Sequence, residues 1–278
     1  MVKQALIKWW PVLLILVAQA SMAKTYTFGV VPQQSASKLA QLWTPIVLHL
    51  SEQTGMEIQF ATAPNIPTFE ERLAAGDYDF VYMNPYHFTV FNQEPGYQAL
   101  AKAKNKRIKG IIVVRKDSGI TELQQLNRQT LAFPAPAAFA ASILTRSHLS
   151  DIGINFTPKY VSSHDSVYSA VAKGLYPAGG GVMRTFNNMP DTLRKQLHVL
   201  WTTQGYTPHA FASHPKVNAV DQLKLQQALI QMDRSLNGMA LLESIKLQGI
   251  EAAQSSDWDD VRRLRIEFLG DQGHPLAE

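Results

Sequence analysis

The chain has 278 residues, no cysteine and a formal net charge of only +4, with 46% apolar residues. That balance excludes a disulfide scaffold, a thiolate metal site and a cysteine nucleophile, and it gives no basic surface for nucleic acid. The length provides one large or two modest domains with a full core.

The opening residues are MVKQALIKWWPVLLILVAQASMA. Lys3 and Lys8 precede an apolar stretch over residues 9–17, interrupted by Pro11, and Ser21 and Ala23 are the small residues of a cleavage site. Residues 1–23 are therefore expected to be a secretory signal peptide, because the stretch is shorter than the roughly 20 residues that span a bilayer. No cysteine is available to carry a lipid. The mature chain is expected to be exported and free, with no stable membrane insertion. Lys3 and Lys8 leave with the leader, taking the charge from +4 to +2.

Residues 26–31 (YTFGVV) predict a buried strand stopped by Pro32. The polar loop that follows, with Gln33, Gln34 and Ser35, leads into a helix marked by Leu39, Leu42, Trp43, Ile46, Val47 and Leu50 and ended by Gly55. Trp43 falls on the apolar stripe and is expected in the core. Residues 56–61 predict a second strand, 67–75 a short helix from Pro67 to Gly76, and 78–83 a third strand running into Asn84-Pro85 and a helical 86–92. Residues 111–115 (IIVVR) form a strongly apolar strand, and the turn at 116–119 is read as the crossing into a second lobe.

Strand and helix then alternate again. Residues 130–144 (TLAFPAPAAFAASIL) run from strand to a helix starting near Ala137. A helix start is an anion site by its free N–H groups, yet Ala137, Ala138, Phe139 and Ala140 add no polar side chain there. Residues 159–162, a helix at 166–173, the glycines 179–181, a helix from about Pro190 and the apolar strand 197–203 complete this half. The tail is helical, with Trp258 and Phe268 as anchors. The expected architecture is α/β in two lobes, each a mostly parallel sheet flanked by helices, joined by a hinge of two crossing strands. Lobe 1 takes residues 24–114 and 204–278, and lobe 2 takes 115–203. Ligands of such sheets sit at the carboxyl ends of the strands, which here face one cleft.

Several side chains belong to that cleft on this reading. Gln34 and Ser35 lie in the first strand-to-helix loop. Tyr82 ends a strand, and Asn84, Tyr86 and His87 follow it, although the aromatic residues serve equally as lobe packing. Ser163-His164-Asp165 opens a helix, where Ser163 is also a good N-cap and Asp165 suits the dipole. The glycines 179–181 are either backbone geometry or a close approach to ligand. Arg184 offers a guanidinium for a carboxylate or phosphate, or a surface salt bridge. Tyr206, Thr207 and His209 lie where hinge and cleft meet.

The segments YDFVYMNPYHF at 78–88, GIIVVRKDSGI at 110–120, the helix mouth at 133–142, YVSSHDSVYSAVAKGLYPAGGG at 160–181 and LWTTQGYTPHAFASHP at 200–215 carry a resemblance in their order and spacing. Together they resemble the phosphate, phosphite and phosphonate class of periplasmic substrate-binding proteins of ABC importers, over nearly all of the mature chain. The resemblance implies a type II periplasmic-binding fold, a small anionic ligand, an ABC permease as partner and no catalytic residue, metal or cofactor. It places His164 against the ligand's oxyanion with Ser163 nearby. It also implies Ser and Thr donors where Ala138, Phe139 and Ala140 stand, with Ser142 a turn too deep, and an acid where Pro177 stands. The main chain at 137–140 is thus left to hold the anion. The same clamp serves an alternative role, docking on a membrane-bound sensor kinase or cyclase. An enzyme is disfavoured, since adjacent His164 and Asp165 point in different directions. A monomer is expected for a clamp that opens and closes.

Overall fold

The computed structural model describes residues 24–266. The leader and Phe268 lie outside the described residues. Among those described, no helix is long and apolar enough to cross a membrane.

The first lobe starts with β1 (Thr25–Val30), α1 (Ala36–Thr54), β2 (Glu57–Ala61), α2 (Ile66–Ala75), β3 (Phe80–Met83), α3 (Pro85–Phe91) and β4 (Gln98–Ala103). Helix α1 begins where the Ser35 hydroxyl accepts from the Lys38 N–H, and ends at Gly55, whose φ of 68° is left-handed. Its stripe of Leu39, Trp43, Ile46, Val47 and Leu50 is buried on the sheet, as the spacing of three and four requires. Asn65 caps α2 and the left-handed Gly76 closes it.

The second lobe contains β5 (Gly110–Arg115), β6 (Thr130–Phe133), α4 (Leu144–Asp151), β7 (Thr157–Tyr160), α5 (His164–Ala172), β8 (Ala178–Val182), α6 (Met183–Asn187), α7 (Asp191–Arg194) and β9 (Leu197–Thr202). The chain returns to the first lobe for β10 (Ala210–Ser213), α8 (Ala219–Gln231), α9 (Leu236–Ser244) and β11 (Ile250–Ala252). The sheet orders are β11-β4-β10-β3-β1-β2 and β7-β6-β8-β5-β9.

Two expectations need correction. The apolar strand β5 pairs with β8 and β9 in the second sheet. The first crossing therefore precedes Gly110 instead of following Arg115, and the 114/115 boundary moves with it. The sheets are also mixed, not mostly parallel. Parallel pairing joins β2-β1-β3 and β7-β6-β8, while β10, β4 and β11 in one sheet and β5 and β9 in the other add antiparallel neighbours.

Strand β5 is apolar up to Arg115 because both faces of its sheet are covered. Ile111 and Val113 enter one core with Val167, Tyr168 and Val171, while Ile112 and Val114 enter another with Leu131, Phe133 and Leu149. The glycines of β8 serve packing. A Cβ at Gly179 would meet the Val167 side chain, one at Gly181 the Tyr168 ring, and one at Gly180 both the Ala141 carbonyl and the Phe133 ring. The open choice at 179–181 thus resolves towards close approach of the chain's own groups.

The hinge is two segments joined by one bridge, in which Ile108 and Tyr206 exchange backbone hydrogen bonds of 2.8 and 3.0 Å. Beside it, Thr203 donates its N–H to the Gly110 carbonyl at 2.9 Å and accepts the Gly110 N–H on its hydroxyl at 2.9 Å. Trp258, fully buried as an anchor, donates its indole N–H to the Pro208 carbonyl at 2.8 Å.

Candidate functional site

The two lobes are closed on each other. Residues of the second lobe's helix mouth, Ala137 to Ala141, belong to the same apolar cluster as the first-lobe core. Hydrogen bonds cross the cleft. The His164 N–H donates to the Gln33 carbonyl at 3.1 Å, Asn84 Nδ2 to the Ala137 carbonyl at 3.4 Å, and the Ser35 N–H to Asp165 Oδ2 at 3.4 Å. Arg184 donates to Gln33 Oε1. Burial pushes the Asp165 carboxyl above its usual range, opposed by the Ser35 N–H.

After β6 the chain turns through Pro134 and Pro136 and opens as a π-helical turn, Phe139–Ile143, before continuing as α4. The helix thus starts at Phe139, two residues later than expected. Ala138 holds the N-cap position with no side-chain cap. Its carbonyl accepts from both Ser142 and Ile143. Among the described residues, nothing accepts from the N–H groups of Phe139, Ala140 and Ala141. They open on a cavity lined by Asn84, Ala138 to Ala141, His164, Gln33 and the apolar Val31, Ile66, Ile108 and Val182. The cavity is about 10 Å³, room for a single water. No carboxylate lines it.

Asn84 divides its amide between two tasks. Oδ1 caps α3 by accepting from the His87 N–H at 2.8 Å, and Nδ2 reaches Ala137 across the cleft. His164 is buried at the start of α5, with Nδ1 at 3.2 Å from the Thr185 hydroxyl and Nε2 without a partner. Burial, reinforced by the Arg184 charge, lowers its pKa from 6.5 to about 3. The ring is therefore neutral at neutral pH. Thr185 belongs to a relay, since its hydroxyl is 2.8 Å from the Tyr168 hydroxyl, which in turn accepts from the Val182 N–H at 3.0 Å. Both hydroxyls also reach the Val182 carbonyl, at 3.1 and 3.0 Å; in the arrangement where Thr185 donates to Nδ1, the proton of His164 sits on Nε2 and Nε2 is a donor.

The expected site residues separate into three groups. Asn84, Ala138, Phe139, Ala140 and His164 converge on the cavity. Gln34, Tyr82 and Arg184 stand beside it around neighbouring spaces of the cleft. Tyr82 stacks on His209 at 4.9 Å and carries the Arg184 guanidinium 5.5 Å above its ring. Ser35, Tyr86, Ser163 and Tyr206 do not line the cavity. Ser35 caps α1. Ser163 caps α5 by accepting from the Ser166 N–H at 3.1 Å. The Tyr86 hydroxyl donates to the Ile266 carbonyl at 3.2 Å. Tyr206 supports the site from behind, edge-on to Phe139 at 5.6 Å. His87 is buried away from the cleft, 2.8 Å from Glu70. Val31, Ile66, Ile108, Ala141 and Val182 are cavity walls that the sequence does not announce, because nothing local distinguishes them from core.

The buried histidines set a pH dependence. His209 also lies well below its ordinary pKa, through burial and then Arg184. An unfolded histidine takes a proton near 6.5, but His164 in the closed clamp does so only near 3. The unfolded chain therefore binds more protons across that window. The stability that these histidines contribute is complete above pH 6.5 and falls as the pH drops towards 3. Melting temperatures measured across this range are expected to decline, and to decline less in His164→Gln.

The family model for the periplasmic substrate-binding protein of phosphonate ABC transporters matches residues 28–258. The phosphate-import protein PhnD of Mycolicibacterium smegmatis is 22% identical over 276 residues, covering 87% of this chain and 85% of its own. The tetrathionate sensor histidine kinase TtrS of Salmonella typhimurium is 26% identical over 147 residues, half of this chain and a quarter of the kinase. The fold is similar to that of PhnD1 from Prochlorococcus marinus, solved with methylphosphonate, with a TM-score of 0.80 at 17% identity over 87% of this chain and 97% of that one. The match over 28–258 and the two-sheet clamp agree, and the chain belongs to the family of phosphonate-type periplasmic substrate-binding proteins of ABC transporters.

Proposed function

We propose that this chain is the solute-binding subunit of an ABC importer, released to the periplasm as a monomer after cleavage behind Ala23, and that its lobes close on a small oxyanion bearing a short apolar group. The observation that carries the ligand class is the buried, neutral His164 with its unpartnered Nε2, facing three free N–H groups and no carboxylate. The N–H groups and the helix dipole hold one or two oxygens, and His164 Nε2 and Asn84 Nδ2 approach another. Phe139, Ile66, Ile108 and Val182 offer an apolar wall to the substituent. Because the closed cavity has room for only a single water, the ligand enters with the lobes apart and is enclosed as they meet around it, less tightly than in this closed form. Binding is then closure stabilised by contacts from both lobes.

Isothermal titration with methylphosphonate, phosphite, phosphate and acetate tests this reading. A phosphonate or phosphite that binds, and stabilises the chain by about 2.7 kcal/mol at a hundred times its dissociation constant, supports it. Acetate alone binding would overturn the oxyanion class. Ala138→Ser is expected to tighten phosphonate binding by about three- to tenfold, since a hydroxyl at the N-cap position adds a donor beside the free N–H groups. Unchanged affinity would show that the main chain suffices there.

The similarity to part of a sensor kinase favours one alternative, in which the closed clamp reports its ligand to a membrane-bound sensor. Stimulation of a reconstituted permease's ATPase by the loaded protein distinguishes import from that role.

A further inference from the structure

On the far side of the Ile108 and Val182 wall from the helix-mouth cavity lies a larger pocket of about 260 Å³. Lys106, Arg107 and Lys109 of the hinge, Arg184 of the second lobe, and Lys246 and His209 of the first lobe line it, and no carboxylate does. Two of the five cations are neutralised nearby, Arg107 by Asp260 at 2.7 Å and Lys246 by Glu243 at 2.9 Å. Lys106 and Lys109 have no ion pair among the described residues, and Arg184 meets only neutral groups, the Gln33 amide and the face of Tyr82. His209, 3% exposed, has no partner for its Nε2. Like charges gathered around one concavity repel each other, and a bound anion removes that repulsion.

We propose that this pocket is a second anion site, separate from the helix-mouth cavity, and that it takes a small molecule with two or more anionic groups, such as a diphosphate or a polycarboxylate. Three features point to a polyanion. The three unpaired cations, Lys106 and Lys109 of the hinge and Arg184 of the second lobe, carry more charge than one oxyanion group neutralises. The volume exceeds that of a single oxyanion. The buried His209 nitrogen adds a polar group to walls otherwise built of Tyr82, Val182, Met183, Pro208 and Leu247. Because both lobes and the hinge contribute, an occupant bridges them and holds the clamp closed. The site does not rest on the ligand proposed for the helix mouth.

Inorganic pyrophosphate is the probe, titrated calorimetrically into the mature protein at about 0.15 M salt, where exposed charges are screened within about 8 Å. One-site binding is expected. The double variant Lys106→Glu/Lys109→Glu should weaken it more than about tenfold, with Lys106→Gln/Lys109→Gln as the milder change if the reversal disturbs folding. Lys173→Glu/Lys195→Glu, the same charge change outside the pocket, should alter it less than about threefold. His164→Ala should leave pyrophosphate binding intact. No pyrophosphate binding, an equal loss in the Lys173→Glu/Lys195→Glu protein, or loss in His164→Ala would overturn the site. Methylphosphonate titrated into the same proteins reads the helix-mouth cavity independently.

Discussion

Gly180→Ala is expected to lower the melting temperature by about 6–12 °C, from a loss of about 3 kcal/mol in a chain of this size. The added Cβ would lie 2.0 Å from the Ala141 carbonyl oxygen and 2.6 Å from the Phe133 ring. Neither neighbour yields cheaply. Phe133 is locked in the core with Leu131 and Leu149, and Ala141 is main chain in the π-helical turn. The relief available is to lift that turn off the sheet, which carries the free N–H groups of Phe139, Ala140 and Ala141 with it. The variant should therefore lose phosphonate affinity as well as stability, and thermal melts with calorimetry on one preparation check both. A variant as stable as the wild type would show that the turn is not seated on β8 in solution.

His164→Ala is expected to weaken phosphonate binding more than about tenfold, roughly 1.4 kcal/mol or more, while leaving the far-ultraviolet spectrum unchanged. It removes the one buried side-chain nitrogen of the cavity that has no partner among the described residues. Thr185→Val separates position from contact. The histidine remains, but Nδ1 loses its hydroxyl at 3.2 Å, and the ring is free to place its proton on Nδ1 and present Nε2 as an acceptor. An acceptor repels an oxyanion, so Thr185→Val should weaken binding about threefold or more. Affinity untouched in both variants would remove the ring from the site.

The two-lobed architecture was legible because each element carried its own signal. The spacing of Leu39, Trp43 and Ile46 announced a helix, and Gly55 and Gly76 announced ends. The first crossing was not legible. Residues 111–115 read as a buried strand in either sheet, and the choice is made by partners some 65 and 90 residues later, Ala178 to Gly181 and Leu197 to Thr202. At the site, the residue types were readable but their directions were not. Asn84 and Tyr86 are two apart on one helix start, and only Asn84 faces the cavity. Ser163 and His164 are adjacent, yet Ser163 closes its own helix while the His164 ring faces the cleft. The cationic pocket left only a partial trace, the basic run at 102–109 that supplies Lys106, Arg107 and Lys109, because Arg184 and Lys246 are far away in sequence and join it only through the fold.

The edge-on contact between Phe139 and Tyr206 joins the wall of the small cavity to the bridged hinge about which the lobes turn. A solute that is too bulky presses Phe139 back against Tyr206 and wedges the jaws ajar. On the reading proposed above, the protein would sort solutes by whether the jaws can shut over them, and a molecule that sticks to one jaw alone would not complete the shape offered to a partner in the membrane.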